Sequence, residues 1–300
     1  MTHGSRGRIR LIVGAPTKRT WRSIKRVLPP RVAEPVRVAA RRSLRAVGLL
    51  DTLPRVEREQ PEERRHAPEP EAMLDAAECP VCGAVVEGFL PFGMVRAQPE
   101  RRCPKCGSLE RHRLVWLYFQ RRTNLFTRSV RMLHVAPEAF IQERLQAFEN
   151  IDYLSADLSS PRAMVAMDIT DIQYPDDSFD VIFASHVLEH IPDDERAMQE
   201  LSRVLRPDGW AILEVPMWGP RTREDPAVTD PAERARLFGQ EDHVRMYGHD
   251  GVFEHRLRRS GFDVTVDKFT AELGPQLTRR YRLRETEDIY LCTKRGGRAT

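Results

Sequence analysis

The stretch SFDVIFASHVLEHI at residues 178–191, followed by LSRVLRPDGW at residues 201–210, decides the fold class. Residues 179–184 are apolar except for Asp180, which is typical of a strand buried on both faces of a parallel sheet. Residues 194–205 have helical spacing and end at a Pro-Asp-Gly turn, and residues 210–215 follow as a second mostly apolar run. The pattern predicts a strand, a helix and a second buried strand in succession.

The same alternation continues toward the amino terminus. Residues 130–135 predict a strand, residues 137–148 a helix with Pro137 in its first turn, and residues 152–155 another strand. Strands that alternate with helices predict an α/β fold with a doubly wound, mostly parallel sheet, whose ligand lies outside the carboxyl ends of the strands. We therefore expect the functional residues to follow strand ends.

In order and spacing, the two quoted stretches resemble the fourth-strand and fifth-strand segments of class I S-adenosylmethionine-dependent methyltransferases. The resemblance covers about residues 130–295, and residues 261–264 and 288–293 are similar to the terminal antiparallel strands of that fold. It implies a Rossmann-like sheet of seven strands, methyl transfer, and S-adenosylmethionine as the cofactor. The methyltransferase domain is expected at residues 123–300, with a substrate-side insertion at residues 217–250.

The resemblance also implies which residues bind the cofactor. Asp157 matches the acid that accepts both ribose hydroxyls, Asp168 matches the acid that receives the adenine amino group, and Ile169 would cover the ring. Glu138 would attract the ammonium group of the cofactor, whereas it would repel the cofactor's own carboxylate. The implied set is His134, Ala136, Glu138, Asp157, Leu158, Asp168, Ile169 and Ser185.

Two departures from the family pattern affect this site. The acid and the G-x-G turn of the family are replaced by LHVAPE at residues 133–138, so alanine and glutamate stand at the glycine positions. Close approach of the backbone to a ligand is harder there. About ten residues separate Asp157 from Asp168, which is too few for a crossover helix. One wall of the cofactor cleft is therefore expected to be thin, or rebuilt by the cysteine segment described below.

The run HVLEH at residues 186–190 has two interpretations. It fits the H-x-x-E-H pattern of inverted zinc peptidases, but it follows a buried strand directly and meets Pro192, so the long helix of that pattern is missing. The favoured interpretation is a packed turn for Glu189 and His190. His186 is then the residue expected to face the ligand.

Within the insertion, His243, Arg245 and Tyr247 alternate along the chain, so an extended backbone would point all three the same way. They would supply a base, an anion clamp and a hydrogen-bonding ring to a substrate. The alternative is a surface loop with satisfied polar groups. We carry these three residues and His186 forward as the catalytic candidates.

Two copies of C-P-x-C-G contain Cys79, Cys82, Cys103 and Cys106, with 20 residues between the pairs. Each C-x-x-C turn supplies two thiolates, and four thiolates complete a tetrahedral zinc site with no open position. A redox dithiol needs only one pair, and two disulfides are disfavoured in the cytosol. The spacing predicts a structural zinc ribbon, placed with its following helix at residues 73–122.

The helix after the ribbon is predicted at residues 108–122, with Ser108 as its cap. Its apolar side is Leu114, Val115, Leu117, Tyr118 and Phe119, and its outer side is Arg111, Arg113, Arg121 and Arg122. The fifth cysteine, Cys292, is expected in a buried strand.

The charge of the chain is divided unevenly. Residues 1–60 contain fifteen Lys or Arg and four acidic residues, a net charge of +11, whereas the whole chain has +4. This basic arm is either a solvated extension or a site for nucleic acid or an anionic surface. Residues 51–72 are rich in proline and charge and are expected to form a linker, so residues 1–72 are assigned to the basic extension and its linker.

Composition excludes a wholly disordered chain, since 41% of residues are hydrophobic and 31% charged. Apolar runs are too short for a membrane span or a signal-peptide core, so we expect no transmembrane segment and a cytoplasmic protein. The favoured function is methylation of a small polar or anionic metabolite, such as a sugar or natural-product intermediate. The alternatives are an RNA methyltransferase that grips phosphates with ribbon and arm, and a non-catalytic binding protein with a methyltransferase fold.

Overall fold

The computed structural model describes residues 76–93 and 97–296, which lie in one structural unit of the chain, residues 67–300. The predictions for the basic arm and the linker at residues 1–72 fall outside the described residues. Among the described helices, none combines the length and the apolarity that crossing a membrane requires.

Thirteen strands and six α-helices occur in the described residues. The strands are β1 (Ala77–Glu78), β2 (Val85–Val86), β3 (Leu90–Phe92), β4 (Gln98–Arg102), β5 (Val130–Val135), β6 (Ile151–Asp157), β7 (Val165–Ala166), β8 (Phe179–Ser185), β9 (Leu205–Glu214), β10 (Arg223–Glu224), β11 (Arg245–Met246), β12 (Phe262–Asp267) and β13 (Ile289–Lys294). The helices are α1 (Glu110–Arg122), α2 (Ala139–Leu145), α3 (Asp194–Val204), α4 (Pro231–Phe238), α5 (Val252–Arg259) and α6 (Phe269–Tyr281), and a 3₁₀ turn spans Leu188–His190.

The central sheet has seven strands in the order β12-β13-β9-β8-β5-β6-β7. The pairs from β9 to β7 are parallel, and β13 is antiparallel to both of its neighbours. This order with one reversed strand is the class I methyltransferase arrangement, so the predicted fold is confirmed. Cys292 lies in β13 and is fully buried, as expected. The carboxyl ends of the parallel strands meet at one edge of the sheet.

The Pro-Asp-Gly turn lies within β9 and does not precede it as predicted. Phe179 of β8 pairs with Leu205, but Val181 pairs with Trp210, so β9 holds a bulge between these two positions. A bulge tolerates proline, which cannot donate to the ladder. Glycine is needed at Gly209 because a Cβ there would lie 2.6 Å from the carbonyl oxygen of Asp180.

Each face of the sheet packs a separate hydrophobic cluster. One cluster joins Cys79 and Cys103 of the ribbon segment to α1 and to sheet residues such as Phe183. The other joins α3 and α5 to the sheet through residues that include Leu201 and Phe253. The ribbon segment therefore shares its core with the sheet.

The helix predicted at residues 108–122 is α1, which begins at Glu110. Ser108 does not cap it, because its hydroxyl lies 3.1 Å from Sγ of Cys79 and 3.2 Å from Sγ of Cys106. The predicted apolar side is buried throughout, which confirms that part of the prediction.

Arg113 was predicted on the outer side of this helix, and that prediction is wrong, since it is 0% exposed. Its guanidinium lies 4.1 Å from the ring centroid of Phe89. It donates to four carbonyl oxygens at 2.7–3.0 Å, those of Arg101, Ser108, Tyr281 and Arg282. Arg113 thereby ties the start of α1 to the ribbon segment and to the end of α6.

Candidate active site

The backbone at two adjacent strand ends enters the left-handed region without glycine. Ala136 follows β5 with a φ of 49°, and His186 follows β8 with a φ of 57°. Their N–H groups donate to the carbonyl oxygens of Ala156 at 2.8 Å and Glu214 at 2.9 Å, so neighbouring strands fix both turns. Such a residue costs roughly 1–2 kcal/mol, and residues of this kind cluster at functional sites. Ala136 thus keeps a glycine-like turn where the family pattern has glycine.

Asp157 and Asp168 lie close together at this edge, where the N–H of Met167 donates to the carbonyl oxygen of Asp157 at 2.9 Å. Oδ1 of Asp157 accepts from the N–H of Ser159 at 2.8 Å, and Oδ1 of Asp168 accepts from the N–H of Thr170 at 2.9 Å. Within residues 76–93 and 97–296, neither Oδ2 atom receives a hydrogen bond. One oxygen of each carboxylate is therefore available to a ligand.

The side chain predicted to cover the adenine ring is not free to do so. Ile169 is 4% exposed and belongs to a core cluster of the sheet, which corrects that prediction. Leu158, directly after Asp157, is 55% exposed. It supplies the apolar surface beside the two carboxylates.

His134 was predicted to contact the cofactor, but it is fully buried. Its Nδ1 lies 2.8 Å from the hydroxyl of Tyr153, and its Nε2 lies 3.2 Å from Oε2 of Glu138. His112 of α1 approaches the other oxygen of Glu138 at 3.1 Å. Although burial opposes ionisation, hydrogen bonds from His112 and His134 hold the pKa of Glu138 well below its usual range. His134 is therefore a residue that positions Glu138.

Charged and polar side chains converge beyond the ends of β5, β8 and β9. Arg111 of α1 is their common neighbour, since its positive charge acts on the pKa of five of the others, namely His112, His186, Glu189, Glu214 and Glu287. We define the edge cluster as Arg111, His112, Glu138, Ser185, His186, Glu189, Glu214 and Glu287.

Several atoms of the edge cluster are buried without a hydrogen-bond partner in the described part of the chain. They include Nε of Arg111, both carboxylate oxygens of Glu189, and Oε2 of Glu287. A buried polar atom left unpaired costs about 1–3 kcal/mol, and native proteins rarely leave several together. The edge cluster is therefore shaped to hold water or a polar ligand.

Burial shifts the proton equilibria of the edge cluster. It raises the pKa of Glu189 and of Glu214 to about 8, and that of Glu287 to about 7. Burial, reinforced by the charge of Arg111, lowers the pKa of His186 well below its ordinary value. At pH 7 the site thus offers carboxylic acids that can donate a proton and a neutral imidazole that can accept a hydrogen bond. Such shifts are typical of catalytic sites.

The structure does not present His243, Arg245 and Tyr247 as one face toward a substrate, because all three are buried. Nδ1 of His243 lies 2.9 Å from the carbonyl oxygen of Phe238. The guanidinium of Arg245 donates to Glu224 and to carbonyl oxygens at residues 188, 191 and 192. The hydroxyl of Tyr247 donates to Asp194.

These contacts correct the roles predicted for Arg245 and Tyr247. An anion clamp needs free donors, and four of the five N–H donors of Arg245 point at protein oxygens. Both side chains hold the insertion against the 3₁₀ turn and α3. Of the four catalytic candidates, His186 is the one in the edge cluster.

The four paired cysteines form a compact group. Sγ of Cys79 lies 3.7 Å from Sγ of Cys106, and Sγ of Cys82 lies 3.8 Å from Sγ of Cys103. All four sulfurs lie within 4.8 Å of one another. A tetrahedron with Zn–S bonds of 2.3 Å has sulfurs about 3.8 Å apart. The donor set and its geometry therefore fit zinc.

Sequence reasoning missed Arg111, His112, Glu214 and Glu287 as members of the site. The sequence could have indicated Glu214 as a functional residue, because it is the only charged residue in the apolar run at residues 210–215. Arg111 and His112 belong to a helix that precedes the sheet, and Glu287 lies just before its last strand. No local pattern shows that these distant segments meet.

The chain is similar to known methyltransferases in part of its sequence. Residues 118–213 match the family described as methyltransferase domain. An uncharacterized methyltransferase of Mycobacterium sp. (strain KMS) is 36% identical over 81 residues, which are 27% of this chain and 31% of that protein. The glycine/sarcosine/dimethylglycine N-methyltransferase of Actinopolyspora halophila is 30% identical over 93 residues, which are 30% of this chain and 15% of that protein.

The chain thus spans less than a third of the length of these two relatives. Among solved structures, the S-adenosylmethionine dependent methyltransferase from Mesorhizobium loti is similar, with a TM-score of 0.39 and 18% identity. That similarity covers 61% of this chain and 98% of the other.

Proposed function

We propose that this chain transfers a methyl group from S-adenosylmethionine to a small polar or anionic metabolite, since residues 118–213 match the methyltransferase domain family. The observation that carries the proposal is the edge cluster, a set of buried ionisable groups directly beyond the carboxyl ends of β5, β8 and β9. Ligands of doubly wound sheets bind at this edge.

The residues at the edge fit the cofactor. In the proposed complex, Oδ2 of Asp157 accepts hydrogen bonds from the ribose hydroxyls and Oδ2 of Asp168 accepts one from the adenine amino group. The exposed side chain of Leu158 lies against the ring. The left-handed backbone of Ala136 keeps the turn that glycine usually forms. This turn argues against the alternative of a fold that lost its activity with its glycines. When bound, S-adenosylmethionine supplies an electron-poor methyl carbon.

The edge cluster fits the acceptor side of the reaction. Methyl transfer needs in-line approach of a nucleophile, so most of the protein's contribution is positioning. Nε of Arg111 is free to hold an anionic or polar group, which favours a polar metabolite. Because burial lowers the pKa of His186, its imidazole is neutral and can orient an acceptor hydroxyl or amine by accepting its hydrogen bond.

Zinc at Cys79, Cys82, Cys103 and Cys106 is the second part of the proposal, and its role is structural. Four thiolates leave no open position for catalysis. The ribbon segment precedes α1, whose first turn carries Arg111 and His112, so the zinc would hold these residues at the edge of the sheet. Cys103→Ser should lose one tightly bound zinc per chain in a metal analysis.

Calorimetric titration with S-adenosylmethionine tests the cofactor site. Asp157→Ala removes a charged acceptor of two hydroxyls and should weaken binding by about 1–3 kcal/mol, which is roughly five- to 150-fold. Asp152→Ala is the matched control, since Asp152 is an exposed acid on the same strand that should leave affinity unchanged. Equal affinity of wild type and Asp157→Ala would place the cofactor elsewhere.

A further inference from the structure

A second group of candidate metal ligands shares Glu189 with the edge cluster. Glu189, His190 and His243 bring one carboxylate oxygen and two imidazole nitrogens within 4.8 Å of one another. Glu189 and His190 end the 3₁₀ turn, and the insertion delivers His243, where the N–H of Val244 donates to the carbonyl oxygen of Glu189 at 3.0 Å. The rings of His190 and His243 have centroids 4.6 Å apart.

The atoms that face one another in this group are not satisfied by the protein. Glu189 is 0% exposed and His243 is 4% exposed. Within the part of the chain that the structure describes, both carboxylate oxygens of Glu189 and Nε2 of His243 have no hydrogen-bond partner. Oε1 of Glu189 lies 3.7 Å from Nδ1 of His186 and 3.8 Å from Nε2 of His190, beyond hydrogen-bond distance. Each of these buried atoms needs a ligand.

In both histidines, Nδ1 contacts a protein oxygen and Nε2 is left to bind a metal ion. Nδ1 of His243 lies 2.9 Å from the carbonyl oxygen of Phe238, which accepts only, so this nitrogen carries the proton and Nε2 keeps its lone pair. Nδ1 of His190 lies 3.2 Å from a carboxylate oxygen of Asp242, which leaves its Nε2 toward Glu189. Metal-bound histidines usually have a carboxylate or carbonyl partner of this kind.

The charges around the group favour a cation. The acid Asp242 lies 3.2 Å from His190, and a bound cation would displace the proton of Glu189. Asp242 is exposed, so the group is open to solvent on that side. The nearby guanidinium of Arg245 is already paired with Glu224 at 3.0 Å and lies 3.5 Å from Asp194. Its repulsion of a second cation is therefore reduced.

We propose that Glu189, His190 and His243 bind one divalent transition-metal ion, separate from the four-cysteine site. Two imidazoles and one carboxylate are a donor set for Zn²⁺ or a similar ion, and they leave at least one coordination position open. Around zinc, ligand atoms bound at about 2.1 Å lie roughly 3.4 Å apart, so the pair at 3.8 Å needs only a small contraction.

The open position would lie next to His186, whose Nδ1 is 3.7 Å from Glu189. This consequence rests on the proposed methyl transfer: a metal there would bind the acceptor oxygen and lower its pKa. Metal binding itself does not depend on that activity, because it can be measured with no cofactor or acceptor present.

Equilibrium dialysis of the full chain against micromolar free Zn²⁺, followed by elemental analysis, tests the proposal. Glu189→Gln and His190→Ala should each hold one zinc fewer per chain than wild type. His255→Ala, which changes an exposed histidine of α5, should match wild type. The difference in zinc content between variant and wild type tests the proposal whether or not the four-cysteine site contains zinc.

Equal zinc content in wild type and Glu189→Gln would overturn the proposal. Glutamine keeps the size of the side chain and removes its charge, so this variant decides the matter if His190→Ala does not fold. Loss of one zinc together with unchanged S-adenosylmethionine binding would support the metal site. Asp157→Ala tests the proposed function separately. It should lose cofactor binding and keep the zinc content of wild type.

Discussion

At the scale of single residues, Glu214 is a buried acid in a strand whose other buried side chains are mostly apolar. It ends β9, is 8% exposed, and has its pKa raised to about 8 by burial. Its neighbours in the same apolar run contribute to the core, whereas Glu214 places an acid among Arg111, Glu287 and Glu138. A buried carboxyl of this kind lowers stability when it ionises, and proteins retain such groups where chemistry requires them.

Glu214→Gln tests this burial through the pH dependence of stability. The folded pKa of about 8 exceeds the usual value of 4.5, so the contribution of Glu214 is fully present below about pH 4.5 and is lost as pH rises through 8. Glutamine has no charge to lose. The variant should therefore gain at least about 1 kcal/mol over wild type between pH 5 and pH 9.

Urea unfolding at both pH values measures that gain. Glu285→Gln changes an exposed acid in the loop before β13 and serves as the control, for which we expect the same difference from wild type at each pH. A difference between Glu214→Gln and wild type that stays constant with pH would mean that Glu214 ionises normally in the folded protein.

At the scale of elements, the sequence predicted the strands and helices that have a local signal. The apolar run at residues 179–184 predicted β8, because a strand buried on both faces needs apolar side chains throughout. The helical spacing at residues 194–205 likewise predicted α3. The bulge in β9 was missed, since Pro-Asp-Gly usually marks a turn and only pairing with β8 keeps it in the strand.

The edge cluster could not be predicted in the same way. His186 follows a strand and was found by position, but Arg111 and Glu287 come from segments far apart in the chain. Arg113 was misplaced for the same reason, because its acceptors Tyr281 and Arg282 are brought to α1 only by the fold. The contacts of these three residues depend on tertiary packing, which the periodicity of the sequence does not predict.

Arg113→Ala tests how α1 is held. The change leaves four carbonyl oxygens without their donor and should lower the free energy of unfolding by roughly 2–4 kcal/mol. Arg121→Ala, at an exposed position of the same helix, should stay within about 0.5 kcal/mol of wild type. Equal stability of the two variants in urea unfolding would contradict the anchoring role of Arg113.

At the scale of the whole molecule, the described unit forms one sheet domain with the ribbon segment packed into its core. The basic arm at residues 1–60 precedes this unit in the chain, and the proline-rich stretch at residues 51–72 spans the junction between them. The RNA alternative depends on that arm, because the body of the chain has a net charge of −7 once the arm's +11 is taken from the total of +4.

Deleting residues 1–60 should leave folding and S-adenosylmethionine binding unchanged, since domains joined by such linkers usually fold independently. Thermal unfolding and calorimetry of the shortened chain measure both properties. If the arm binds nucleic acid, the full chain should bind RNA with a strong salt dependence that the shortened chain lacks. Aggregation of the shortened chain would show that the arm packs on the core.

The central claim is that the edge cluster and the neighbouring acids form a methyltransferase active site. A crystal structure of the chain with S-adenosylhomocysteine tests it most directly. The account predicts ribose hydroxyls on Asp157, the adenine amino group at Asp168, and the sulfur facing the edge cluster beyond β5 and β8. A ligand bound at any other place, or a sulfur turned away from His186 and Glu189, would contradict it.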